Sequence, residues 1–174
     1  LDVDAEFETL FHTYQQPITT YLSHLLGDEE RGEELAQEAF LRAYRAMVRG
    51  TEVAHPRAWL FRIATNAARD HWRRARLVRW LPLWGSEDDP ALCTPDLADE
   101  VADRLDVRAA LARLSPRYRV PLVLHLCEGL STAEIAEVLG IRRGTVKMRL
   151  VRARRQLQCA FKTICGLESD HDGM

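Results

Sequence analysis

Apolar residues recur at three- and four-residue spacing through Phe7, Leu10, Phe11 and Tyr14 and on through Ile18, Tyr21, Leu22 and Leu25. That period predicts a first helix burying one face, with a bend near Pro17. Gly27 and Asp28 punctuate the pattern. A second stripe follows, Leu35, Ala39, Ala43 and Met47 with Phe40 and Tyr44 beside them. Asp28, Glu29 and Glu30 stand at its start, where acids suit the positive end of a helix dipole. Arg49-Gly50-Thr51 and His55-Pro56 mark a loop, after which Trp59, Leu60, Ile63, Ala64 and Ala67 open a third helix that runs into Arg69-Asp70-His71-Trp72-Arg73-Arg74.

From Arg79 to Asp106 the period fades into Trp80-Leu81-Pro82-Leu83-Trp84-Gly85, the acidic run Glu87-Asp88-Asp89-Pro90, and Thr94-Pro95-Asp96. This is loop and breaker chemistry and reads as a linker between domains. Leu105, Ala109, Leu111 and Leu114 restore helical spacing, and Ser115-Pro116 sets an N-cap residue before a proline at the first helical position. Pro121 lies deeper in that helix, where a kink is expected. Ser131-Thr132-Ala133-Glu134 has the form of a capping box, Gly140 that of a helix-ending glycine, and Ile141 that of the small apolar residue packing the turn. After Gly144-Thr145 a further helix is predicted through Val146, Leu150, Ala153 and Leu157, with basic residues on its start and outer faces. No segment alternates as a strand, so the fold class is all-α: two helical domains joined by a flexible linker.

The 174 residues carry a net charge of −2, but the charge is segregated. Residues 65–85 hold 5 bases and 1 acid, 86–106 hold 8 acids and 1 base, and 140–165 hold 8 bases and no acid. Two basic islands flank an acidic spacer, which concentrates positive potential where a polyanion docks. The most apolar stretch, Val120 to Cys127, is broken by Pro121 and His125 and falls far short of the roughly 18 to 20 residues of a membrane span. Cys93, Cys127, Cys159 and Cys165 form no CxxC pair and are expected as reduced thiols, commonly buried in helices, with no metal or cofactor. No GxSxG, HExxH, GxxxxGK[ST] or GxGxxG occurs, so no catalytic chemistry is suggested.

A short helix, a tight turn and a basic second helix make a helix-turn-helix. Duplex reading needs a helix whose side chains reach base edges while neighbouring cations hold phosphates. Arg143, Lys147 and Met148 are the candidates for bases, and Arg142, Thr145, Arg149 and Arg152 for the backbone. On the third helix Asn66 and Asp70 stand one turn apart, with Arg69, Arg73 and Arg74 along the same segment, a set that suits an exposed single strand. Glu33, Glu34, Gln37 and Glu38 form a carboxylate-rich helical face beside an apolar stripe, suited to docking on a basic partner helix.

Taken together, the two halves resemble the extracytoplasmic-function group of bacterial sigma factors. Glu33-Glu34-Leu35-Ala36-Gln37-Glu38-Ala39-Phe40-Leu41-Arg42 looks like that family's polymerase-docking helix. Trp59 to Asn66, with Asp70 and Arg73-Arg74, looks like its segment for the −10 element, and Gly129 to Arg154 like its −35 reader. The resemblance covers nearly the whole chain. It implies a cytoplasmic, non-enzymatic transcription initiation factor whose partners are core RNA polymerase, promoter DNA and an anti-sigma factor. It also implies that residues 1–80 dock on polymerase and melt −10, that 81–104 form a linker threading toward the active centre, that 105–168 grip −35, and that 169–174 are a tail. Asn66 and the loop from Val53 to Arg57 are thereby assigned to a flipped base. Met148 departs from the serine usual at its position, and His125 from a more commonly basic or polar one. The chain opens directly at the docking domain, with no preceding autoinhibitory region expected. Two other classes fit the residues less well: a stand-alone helix-turn-helix regulator, for which no dimer-forming helix remains, and a helical hydrolase, for which no motif is present.

Overall fold

The computed structural model describes residues 3–78 and 102–164, and every regular element among them is helical. The linker residues singled out above, including Trp80, Trp84 and Glu87 to Asp89, lie outside the described residues, as do Cys93, Cys165 and the tail. In chain order the helices are α1 (Val3–Leu26), α2 (Glu29–Val48), α3 (Pro56–Val78), α4 (Ala102–Ala112), α5 (Pro116–Leu126), α6 (Thr132–Leu139) and α7 (Arg143–Ile164).

α1 and α2 form a hairpin closed by Gly27, whose positive φ of 73° suits a residue without a Cβ, and by Asp28, whose side chain caps α2 through the Arg31 amide at 3.1 Å. α1 continues through Pro17 and α5 through Pro121 as helix. Phe7, Phe11, Phe40 and Tyr44 interlock between α1 and α2 in edge-on and tilted ring pairs with centroids 4.9 to 6.4 Å apart. α3 packs against both helices and closes this half over Ile18, Tyr21, Leu22, Leu25, Leu60 and Phe61, all fully buried. Each such side chain contributes about 1.5 to 3 kcal/mol by leaving water. Within that core the Tyr21 hydroxyl lies 2.8 Å from Thr65 Oγ1, and Thr65 donates to the Phe61 carbonyl at 2.6 Å, so the tyrosine is the donor to the threonine. Burial raises the Tyr21 phenol far above its usual range, and it stays neutral.

The second half packs α4, α5 and α6 around α7, over Leu114, Leu122, Val123, Leu124, Leu130 and Ile135. The two halves touch: α3 lies against α6, and α1 against α4 and α5. Arg119 of α5 is 6% exposed and reaches across, donating to the Leu25 carbonyl at 3.1 Å and to the carbonyls of Ala112 and Leu114 at 2.6 and 2.8 Å.

At Gly32 the backbones of α1 and α2 come close together. A Cβ there would meet the Ser23 hydroxyl and lie 2.7 Å from the Ser23 Cα and amide nitrogen. Gly32→Ala is therefore expected to push the hairpin apart and cost about 1 to 3 kcal/mol, read by urea denaturation. A wild-type midpoint would remove the packing argument. Thr65→Val strands a buried phenol and should cost about 1 to 3 kcal/mol, whereas Tyr21→Phe leaves Thr65 its bond to Phe61 and should cost only about 0.5 to 1.5 kcal/mol. The reverse ranking in the same denaturation series would mean that the bond network is drawn the wrong way round.

Candidate nucleic-acid interface

α6 starts with the capping box the sequence predicts. Ser131 Oγ accepts from the Glu134 amide at 3.2 Å, and Glu134 Oε2 accepts from the Ser131 amide at 2.8 Å. These bonds hold the Glu134 carboxyl below its ordinary value. Gly140 ends α6 in the left-handed region at φ 64° and ψ 35°, and the Ile141 amide closes the turn on the Ala136 carbonyl at 3.1 Å. His125 Nδ1 sits 2.9 Å from the Leu130 carbonyl, so this side chain fixes the segment entering α6 rather than facing outward for recognition.

α7 begins at Arg143, one residue ahead of Gly144-Thr145. Val146, Leu150 and Ala153 are buried, which turns the opposite face outward. Arg142, Arg143, Lys147, Met148 and Arg152 are exposed there, with Met148 at 57%, and Thr145 is half-buried. Arg143 Nε donates to Thr132 Oγ1 at 2.9 Å, so its guanidinium is held near the start of α6. Arg149 is set apart from these. It is half-buried, its Nε is enclosed without a hydrogen-bond partner, and it lines a cleft with Arg69 and Arg117.

On α3, Asn66, Arg69, Arg73 and Arg74 are exposed. Asp70 is already engaged: its two oxygens lie 3.0 Å from Arg42 and 3.0 Å from Arg73. Arg42 also pairs with Glu38 at 2.5 Å, and Arg74 approaches Glu38 at 4.0 Å. The structure thus joins Glu38 of α2 to the basic stretch of α3 through one chain of ion pairs. Glu33, Glu34 and Gln37 are exposed beside it, Glu34 paired with Arg31 at 2.6 Å, and Leu41 at 48% exposure continues the face one turn on. Leu41 and Val48 add apolar surface to an acidic helix, which their place in the stripe pattern does not reveal.

The loop before α3 borders a cleft of about 170 Å³ lined by Glu52, Val53, His55, Trp59 and Arg62, with Glu137 of α6 at its edge. Arg57 in the first turn of α3 donates to the Glu128 carbonyl at 2.5 Å and lies 3.6 Å from Glu134. The sequence offered no sign of this cross-link, because nothing in local spacing says which distant turn such an arginine will meet. Trp59 and Trp72 both pack on the core cluster. Cys127 and Cys159 are exposed, contrary to the expectation of buried helical thiols: Cys127 caps the C-terminal end of α5, and Cys159 lies on α7 away from the buried Ala153 and Ala160. Burial of part of the side chain and the neighbouring Glu128 raise the Cys127 thiol above its ordinary value. Among the described residues no group of histidine, cysteine or acidic side chains is arranged to hold a metal ion, and no helix is long and apolar enough to cross a membrane.

Residues 10–78 match the family model for Sigma-70 region 2, and residues 104–157 the model for Sigma-70 region 4. The chain is 35% identical over 161 residues to the ECF RNA polymerase sigma factor SigL of Mycobacterium tuberculosis, covering 92% of this chain and 91% of that one. It is 28% identical over 170 residues to the RNA polymerase sigma factor SigZ of Bacillus subtilis, covering 95% and 93%. Among solved structures, the sigma factor RpoE in complex with the anti-sigma factor NepR from Bartonella quintana shares the fold at a TM-score of 0.69 and 22% identity, over 94% of this chain and 99% of that one. CnrH in complex with the cytosolic domain of CnrY does so at 0.67 and 24%, over 95% and 91%.

Gly144 lies in the first turn of α7 with open space where a Cβ would stand and no positive φ. Gly144→Ala is expected to stabilise the protein by about 0.4 to 1 kcal/mol, measured by thermal unfolding. A loss of duplex affinity in that stabilised variant would show that the glycine serves the outer surface of α7; destabilisation would show that this turn is strained.

Proposed function

Since the chain belongs to the ECF group of RNA polymerase sigma factors, we propose that it binds core RNA polymerase in the cytoplasm and directs promoter-specific initiation, with no turnover of its own. Residues 1–80 dock on polymerase and capture the melted −10 strand, 81–104 form the linker, and 105–168 grip the −35 duplex. The observation that carries this reading is that one chain presents two separate cationic helical surfaces in the family's order. One is the outer face of α7, with Arg142, Arg143, Thr145, Lys147, Met148 and Arg152; the other is Asn66, Arg69, Arg73 and Arg74 on α3, tied through Asp70 to the acidic face of α2.

Lys147, Met148 and Arg143 read base edges, and Arg142, Thr145, Arg149 and Arg152 hold phosphates. Asn66 and the cleft beside residues 53–57 receive an unpaired base, while Arg69, Arg73 and Arg74 follow its backbone. Asp70 works by positioning, since both its oxygens are taken by arginines. Glu33, Glu34, Gln37 and Glu38, with Leu41 beside them, meet the polymerase. The two contacts to DNA are each weak, and joining them through polymerase raises their effective concentration. Here Arg57, at the start of α3 beside that cleft, is tied to Glu128 and to Glu134 of α6. The resemblance in fold to sigma factors solved with their anti-sigma factors supports control by such a partner.

The deciding experiment mixes the purified chain with sigma-free core polymerase and follows co-migration on size exclusion and transcription from genomic fragments. Co-migration with discrete start sites is expected; duplex binding without core binding would replace this reading by a stand-alone regulator. Two variants then separate the surfaces. Lys147→Ala with Arg152→Ala should lower transcription from a −35-dependent promoter at least about tenfold and flatten the salt dependence, with core binding kept. Asn66→Ala should keep duplex binding yet reduce permanganate reactivity of unpaired thymines near −10, and wild-type reactivity would remove Asn66 from strand capture.

A further inference from the structure

His24 stands half-buried in the last turn of α1, at the end where the second half of the molecule is seated. The carbonyl of the next residue, Leu25, accepts from Arg119 of α5 at 3.1 Å, and α4 and α5 both lie against α1. The Nδ1 atom of His24 is enclosed and has no hydrogen-bond partner among the described residues. The neutral ring therefore carries its proton on Nε2.

A protonated ring fits this place poorly. Imidazolium bears an N–H on both nitrogens, and the one at Nδ1 is buried with no acceptor. The new charge also meets cations: Arg108 of α4 bears on the ring from across the seam, and Arg119 reaches the neighbouring carbonyl. The end of a helix ordinarily welcomes a cation, because its last carbonyls are unpaired and carry the negative end of the dipole. Here that place is taken. The Ser23 carbonyl accepts from the Gly27 amide at 2.8 Å, and the Leu25 carbonyl from Arg119. The acids that follow in sequence do not answer the charge either: Asp28 caps the Arg31 amide, Glu34 pairs with Arg31, and Glu29 and Glu30 stand exposed. α3 meets this part of α1 through Phe61 and Thr65, which are uncharged. Burial, and then Arg108, hold the ring below the ordinary histidine value of 6.5, in keeping with that geometry.

We propose that His24 is an acid-sensitive latch between the two halves: neutral, it lets α4 and α5 seat on α1, and protonated, it weakens that seat so that the halves part in acid. The parted chain takes up a proton at His24 near the ordinary value, and the packed chain only at lower pH. The packed arrangement is thus fully favoured above about pH 6.5 and loses ground as pH falls below it. Parting bares the faces that α1 and α3 turn toward α4, α5 and α6. The latch acts in the free chain and needs neither polymerase nor promoter, so its test is independent of the function proposed above.

The full chain is followed by small-angle X-ray scattering from about pH 7.5 to about pH 5, with the His24 ring titrated by NMR over the same range. Expected are compact particles at the upper end, a radius of gyration that rises by at least about a tenth in acid, helicity kept by circular dichroism, and a His24 midpoint below that of an exposed histidine. His24→Gln has no charge to gain and should stay compact throughout. Arg108→Gln removes the cation across the seam and should move the expansion to lower pH; it carries the test if His24→Gln loses helicity. Expansion of His24→Gln at the wild-type pH assigns acid opening to other groups, such as the Glu128 carboxyl near Arg57, and overturns the proposal. So does a wild-type chain that stays compact across the range, or an Arg108→Gln chain that opens at an unchanged pH.

Discussion

A buried arginine sets the frame on which both surfaces stand. Arg119 is taken out of water and meets three carbonyls, those of Leu25, Ala112 and Leu114. Burying a cation without such partners costs several kcal/mol, so the position is tolerable only while all three chain segments stay where they are. The acceptors lie at the ends of helices α1 and α4 and in the turn that follows α4. Terminal carbonyls lack partners inside their own helices and carry the negative end of the dipole, which makes them good ligands for a cation. One side chain therefore fixes the α4–α5 corner and seats the second half on the first. Arg117 stands two residues earlier in the same turn of α5, so the cationic cleft inherits its geometry from this anchor.

The second constraint is electrostatic and works on the surface. The ion pairs from Glu38 through Arg42 to Asp70 and Arg73 have side chains from about a third to three-quarters exposed. Each such pair contributes at most about 1 kcal/mol. Their importance is one of geometry: α2 and α3 are held in register by groups that also form their outer faces. A force on the acidic face of α2 is transmitted to the basic stretch of α3 through Arg42 and Asp70, with the shared aromatic and aliphatic core behind them. The acidic face of α2 and the basic stretch of α3 are in this sense one unit, whereas α7 belongs to the other half.

Much of this was legible in the sequence, for reasons that are local. Helical spacing of large apolar residues places α1 to α3 and α7. The Ser131–Glu134 capping box and Gly140 are read directly, because caps and left-handed turns are decided within four or five residues. What was not legible depends on distant partners. Gly32 reads as an ordinary glycine near a helix start until Ser23 is seen against it. Asp70 reads as a spare acceptor until Arg42 arrives from another helix. Arg149 falls among outward arginines on a helical wheel, yet α5 and α3 cover that edge of α7 and enclose it. Nothing in the local pattern marks His125 or Arg119 as the side chains that meet the carbonyls of neighbouring turns, Leu130 for one and Leu114 for the other.

That difference bears on how the charge of this chain is divided. Eight bases and no acid between residues 140 and 165 suggest a single cationic surface. The fold splits it: Arg142, Lys147 and Arg152 remain on the outer face of α7, while Arg149 is drawn inward beside two arginines from other helices. Outward cations keep their hydration and repel weakly; the inward one is desolvated and unmatched. The packed arrangement of the two halves therefore sets Arg149 against the charges of Arg117 and Arg69, a repulsion that the apolar contacts of α5 and α7 and the three carbonyls around Arg119 outweigh.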